Sequence, residues 1–166
     1  MIEGEPSRTA RRVAVLRAVH QIRETPKVLD DPLAVKIIGP DAEKKIRDNP
    51  KRYETMLERP LRAALVSRAR FAEEALAAAI GRGIGQMVVL GAGLDTFAYR
   101  SPLAPKVRVF EVDFPATQAW KRKRLAEAGI AQPPNLTFAP IDFTRDTLEA
   151  GLERAGGDLG PPGFFS

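Results

Sequence analysis

The sequence predicts an α/β fold, a doubly wound parallel sheet behind an N-terminal helical cap. Three observations predict it. Residues 1–80 carry apolar side chains at helical spacing. After Gly85, short β-branched runs alternate with helical segments. A glycine-rich turn, "VLGAGLDTFAYR" (89–100), follows the first of those runs.

Taken in order, "PSRTARRVAVLRAVHQIRE" places Val13, Leu16, Val19 and Ile22 on one helix face behind Ser7 as N-cap. "DDPLAVKIIG" supplies Asp31 as a cap, Pro32 at the first helical position and Gly39 as a stop. A polar stretch, 40–58, joins this to a long helix near 60–80 with a stripe of Leu61, Leu65, Ala69, Ala72, Leu76 and Ile80, ended by "GRGIG". "MVVL" (87–90), "VRVFEV" (107–112) and "LTFAPI" (136–141) read as buried parallel strands. Helices over 115–129 and 144–156 complete the alternation, and "GFFS" at the C-terminus would open a fourth strand. The division expected is a helical cap over 1–80 and the first half of a ligand-binding sheet domain over 81–166, together one domain.

The chain has 166 residues, 44% of them hydrophobic and 28% charged, the composition of an ordinary globular protein with room for a sizeable core. It contains no cysteine, which excludes disulfides, cysteine-ligated metals and thiol catalysis. A single histidine, His20, gives little material for a metal site or a catalytic triad, and no metal is expected. No run is long enough to span a bilayer and "MIEGEPSRTARR" has no apolar signal core, so the expected location is cytoplasmic, without membrane contact. The net charge of +5 arises from 26 basic and 21 acidic residues. It is concentrated in Arg8, Arg11, Arg12, Arg17 and Arg23 and in "KRKR" (Lys121–Arg124). Without interleaved aromatics these read as solvated helix faces rather than a specific nucleic-acid surface.

Strand, glycine turn and a downstream acid form the candidate site. Gly91 and Gly93 would let the backbone approach a ligand where a Cβ would clash, or make only a tight strand–helix turn. Asp113, about twenty residues on, ends "VFEVD" where a carboxylate accepts from ribose hydroxyls. A dinucleotide fingerprint wants a third glycine where Thr96 stands, and Asp95 would repel a pyrophosphate at the helix N-terminus. S-adenosyl-L-methionine, cationic and without phosphate, tolerates these acids. Asp95 and Thr96 read as caps of the next segment, and Glu111 as turned to solvent or to a backbone partner. Phe97, Tyr99 and Trp120 read as core aromatics, and His20 has little claim as a general base.

"SRTA", "DDPLA", "SRARFAEEAL", "QMVVLGAGLDTFAYR", "VFEVDFPATQAWKRKRL", "FAPIDF" and "PPGFFS", in this order, resemble a bacterial group of S-adenosyl-L-methionine-dependent methyltransferases related to the leucine carboxyl methyltransferases. The resemblance implies a Rossmann-like sheet, the fourth strand beside the first and the cofactor loop between them. It also implies Gly91 against the cofactor, Asp113 on the ribose and Asp142–Phe143 beside the adenine. An arginine of "SRAR", Arg68 or Arg70, is implied for the methionine carboxylate. On a helical wheel Arg68 lies at the edge of the apolar stripe and Arg70 points nearly away, which favours Arg68. Both also read as solvated arginines whose stems cover apolar surface, and Asp142 as a cap for the 144–156 helix.

The acceptor implied is a small molecule, carboxylate-bearing or hydroxylic. A carboxylate is already anionic and needs no base, in keeping with the scarcity of histidine, whereas a hydroxyl would need one. The family runs well beyond Ser166, so the chain is expected to be an N-terminal portion, inactive alone, with its sheet incomplete. Strand 87–90 would then be an apolar edge open to self-association. A non-catalytic cofactor-binding or interaction module, a nicotinamide oxidoreductase and a basic nucleic-acid-binding fragment are the competing readings. Adenosylmethionine against NAD binding, and a salt-dependent nucleic-acid titration, would separate the last two from the first reading.

Overall fold

A computed structural model describes residues 7–158 and 160–166. Four helices come first: α1 (Arg8–Arg23), α2 (Pro32–Ile38), α3 (Pro40–Asp48) and α4 (Glu58–Gly81). Strands and helices then alternate as β1 (Gln86–Leu90), α5 (Phe97–Arg100), β2 (Arg108–Asp113), α6 (Pro115–Glu127), β3 (Leu136–Pro140), α7 (Leu148–Arg154) and β4 (Phe164–Phe165). All strand pairs are parallel, and the sheet order is β3-β2-β1-β4. The chain steps outward from β1 through β2 to β3, then returns across the sheet to place β4 on the other side of β1. That reversal is the switch point at which open α/β sheets bind ligands.

The expected caps form. Ser7 Oγ accepts from Ala10 N at 3.2 Å, and Asp31 Oδ1 accepts from Ala34 N at 3.1 Å in front of Pro32. α4 closes on Gly83 at φ +92°, with Gly83 N bonded to Ile80 O and Ile84 N to Ala79 O. This paired C-terminal closure needs a left-handed residue, which glycine adopts without strain.

Strand residues alternate between two cores. Met87, Val89, Val109, Leu136 and Phe138 pack with Ile37 of α2, Leu76 of α4, Phe97 of α5 and Leu125 of α6. Val88, Phe110, Val112 and Ala139 face the opposite layer, where Leu152 of α7 covers them. Helices on both faces explain why the strands read as continuous apolar runs rather than alternating ones. A third cluster of Ala18, Val19, Ala34 and Ile46 binds α1, α2 and α3 into the cap.

Three expectations change. The polar stretch 40–58 is not a plain joiner: it contains α3, whose Ile46 is fully buried. The helix read over 144–156 starts only at Leu148, because Thr147 caps it through Ala150 N at 3.2 Å. β1 is not an open edge, since Met87 and Val88 pair with Phe164 and Phe165, and Leu90 N donates to Ser166 O at 2.9 Å.

Candidate functional site

The C-terminal ends of β1 and β4 open into a cavity of about 680 Å³. Its floor is the glycine-rich loop after β1, and its sides are α1 and the middle of α4. Gly91, Gly93, Asp113 and Arg68 all line it. Arg70 does not: it points outward to Glu74, Nε to Oε1 at 2.6 Å. Asp142 and Phe143 also lie outside the wall. Asp142 accepts from Thr144 N at 3.0 Å and Thr144 Oγ1 at 2.7 Å, bonds that hold its carboxyl below the ordinary range. It therefore caps a turn, while α7 takes its cap from Thr147. The apolar stripe expected on α4 divides as well. Leu76 enters the core, whereas Leu65, Ala69 and Ala72 face the cavity.

The loop geometry follows from its glycines. Gly91 and Gly93 sit at φ +62° and +50°, where a side chain strains the backbone. A Cβ on Gly91 would meet nothing within 4 Å, so open space lies before it. A Cβ on Gly93 would stand 3.0 Å from Ala10 Cβ of α1. Gly91 thus leaves room for a ligand, and Gly93 lets α1 close over the loop. Gly93→Ala is accordingly expected to lower unfolding free energy by about 1–3 kcal/mol, more than Gly91→Ala, in urea titrations of both variants.

Asp113 is aimed by the backbone. Oδ2 accepts from Gly93 N at 2.6 Å and Oδ1 from Phe114 N at 2.7 Å. Among the described residues no cation pairs with it. Each oxygen keeps a lone pair for a further donor. Arg68 likewise has no ion partner among the described residues, and it stands on the cavity side of α4.

Sequence reasoning missed the charges around the loop. The basic clusters are not uniformly solvated. Arg17 is buried and joins both Asp31 and Asp95, with Nη2 to Asp31 Oδ2 at 2.8 Å. Burial works against its charge, but the two carboxylates outweigh it and raise its pKa. Burial likewise pushes the Asp95 carboxyl up. Arg17, Lys121 and the Phe97 N–H reverse this and hold it well below its ordinary value. Asp95 accepts from Phe97 N at 2.7 Å at the start of α5, and Thr96 takes the N-cap position itself but turns its hydroxyl to Asp31 rather than to a helix N–H.

Lys121 of "KRKR" is also buried. Its Nζ reaches Glu111 Oε2 at 2.5 Å and Asp95 O at 2.7 Å. Glu111 therefore turns neither to solvent nor to a backbone partner. It shares the sheet face of Val109, under α6, and burial pushes its carboxyl up to about 7 against the pull of Lys121. Tyr99 Oη beside them is buried without a hydrogen-bond partner among the described residues, and burial with the charges of Glu111 and Asp95 raises it. Arg124 bonds Ile37 O at 3.0 Å, tying α6 to α2. His20 is buried away from the cavity, its Nδ1 on Glu24 and its Nε2 accepting from Leu29 N at 3.3 Å. The one signal that could have found this network is its residue types: arginine, aspartate and lysine inside otherwise apolar helix and strand faces.

The sequence is similar to curated proteins from several bacteria. The Bacillus subtilis protein YktD, provisionally named an S-adenosyl-L-methionine-dependent methyltransferase, is 34% identical over 166 residues, covering 87% of this chain and 55% of that protein. A Frankia alni protein named in the same way is 32% identical over 95% of this chain and 52% of its own length. A Mycobacterium bovis protein, again so named, is 32% identical over 95% of this chain and 47% of its own. The chain spans about half the length of these relatives. No described helix is long and apolar enough to cross a membrane. The profile of the leucine carboxyl methyltransferase family matches residues 10–166, all four strands and the glycine-rich loop included, and the chain belongs to that family.

Proposed function

We propose that this chain carries the methyl-donor site of an S-adenosyl-L-methionine-dependent methyltransferase, and that the whole enzyme methylates a carboxylate or hydroxyl oxygen of a small acceptor. The observation that carries this reading is Asp113, a carboxylate fixed by two backbone N–H groups at the strand switch point with no described cation against it. Such a group accepts from vicinal ribose hydroxyls. Space before Gly91 admits the ligand, and the nearby carboxylates of Asp95 and Asp113 suit a cationic donor better than a pyrophosphate.

Arg68 would hold the donor's carboxylate, a pairing for which a guanidinium fork is well shaped. The bound donor supplies a methyl group already activated on a sulfonium. What the protein contributes is placement. Asp113 and Arg68 would grip the two polar ends, between the loop and the walls formed by α1 and α4. A carboxylate acceptor needs no base, so holding and aligning suffice for it.

Isothermal titration with S-adenosylhomocysteine, and with NAD as control, tests the reading. Saturable binding of the first alone is expected. Asp113→Ala and Arg68→Ala should each weaken it by about 10- to 100-fold, the loss of a hydrogen bond to a charged group. Arg70→Ala should leave it unchanged. Tighter NAD binding, or an indifferent Asp113→Ala, would overturn it.

A further inference from the structure

A connected set of charges lies behind the cavity wall. Asp31 is fully buried and is its hub. Thr96 Oγ1 lies 2.7 Å from both Asp31 oxygens, Arg17 Nη2 donates to Oδ2 at 2.8 Å, and Arg100 Nε stands 3.3 Å from Oδ1. Arg17 continues to Asp95 in the glycine-rich loop, and Arg100 continues to Glu73 on α4. Arg17, Asp95 and Glu73 face the cavity, while Asp31, Thr96 and Arg100 are absent from its wall. One carboxylate that no ligand in the cavity would touch therefore joins three elements that such a ligand would touch: α1, the loop and α4.

We propose that Asp31 is a positioning residue, which through Arg17, Thr96 and Arg100 locks the glycine-rich loop and the two cap helices into the shape of the donor cavity. Buried ion clusters are weak evidence of net stability, since desolvation offsets much of the attraction. Their effect is geometric: two fixed carboxylates and a planar guanidinium fork permit few arrangements. Ligand affinity is thus set in part from a site outside the cavity. The affinity part rests on the donor reading above; the locking of the loop does not.

The experiment compares Asp31→Asn, Thr96→Val and Thr96→Ser with Ile46→Val, which trims the cap core without touching the network. Amide hydrogen exchange on the free chain reads the loop, and S-adenosylhomocysteine titration reads affinity. Asp31→Asn and Thr96→Val should speed exchange at residues 92–97 by about tenfold more than at β1 and β2, and weaken the ligand by about tenfold. Thr96→Ser, which keeps the hydroxyl, should restore both. Ile46→Val should change neither relative to the core. If Asp31→Asn fails to fold, Thr96→Val and its serine rescue decide alone. Loop exchange that follows the core in step in the network variants, or unchanged affinity beside a binding wild type, overturns the proposal. Faster loop exchange with no binding by the wild type overturns the donor reading and leaves the lock standing.

Discussion

Glu111→Leu is expected to lower unfolding free energy at neutral pH by about 3–5 kcal/mol, and Lys121→Met by only about 1–3 kcal/mol. The asymmetry follows from what each change leaves behind. Removing the carboxylate strands an ammonium that is 1% exposed, with Asp95 O as its remaining hydrogen-bond partner. Breaking a buried pair by removing one partner costs more than the pair was worth, because the remaining charge stays in the interior uncompensated. Removing the lysine instead leaves a carboxyl already pushed up to about 7, which takes a proton at small cost. The double variant should recover most of the loss of Glu111→Leu, because a buried pair replaced by apolar groups of similar size is often neutral. Urea unfolding of the four proteins at pH 7 checks the order. Equal losses in the two single variants would mean that the ammonium finds water.

That pair also shows where the sequence stops speaking. The strands were legible because a sheet covered on both faces needs unbroken apolar runs, and "MVVL" and "VRVFEV" are such runs. Ser7, Asp31 and Gly39 were legible as punctuation because capping is local. α3 was hidden, its one buried residue, Ile46, standing among charges that otherwise face water. Gly91, Gly93 and Asp113 could be placed together from strand context alone. Arg68 could be set on the cavity side of α4 by helical periodicity. Arg17 could not. Its partner Asp95 is 78 residues away, and Asp31, read as a cap, is equally the hub of an ion cluster. Charge in a sequence reports a need for a partner and not where the partner is. The solvated reading of "KRKR" therefore suited Lys123, which is exposed, but not Lys121.

The stability difference between the wild type and Glu111→Gln should depend on pH, with a sign opposite to ordinary acid unfolding. Glu111 has a folded value of about 7 against an ordinary 4.5, so between those limits the native chain holds a proton that the unfolded chain has released. Stability from this group is therefore full below about 4.5 and lost as pH rises through about 7, a fall of about 3 kcal/mol across the window. Asp95 works the other way and lower down. Its carboxyl lies below the ordinary value, so its contribution is present above the ordinary carboxylate range and disappears as pH falls beneath it. The two windows do not overlap, which lets them be separated. Glutamine at 111 keeps the shape and an oxygen for Lys121 but cannot titrate. Asp95 is common to both proteins and titrates below this range, so it cancels from the difference between their stabilities from pH 4.5 to 7.5. Within the window the wild type should lose ground steadily to the variant as pH rises. Parallel curves would mean that Lys121 holds Glu111 ionised throughout. Lys121 also grips Asp95 O, and Asp95 lines the cavity. A wild-type chain that loses ground in this window would therefore carry its titrating group two contacts from the cavity wall.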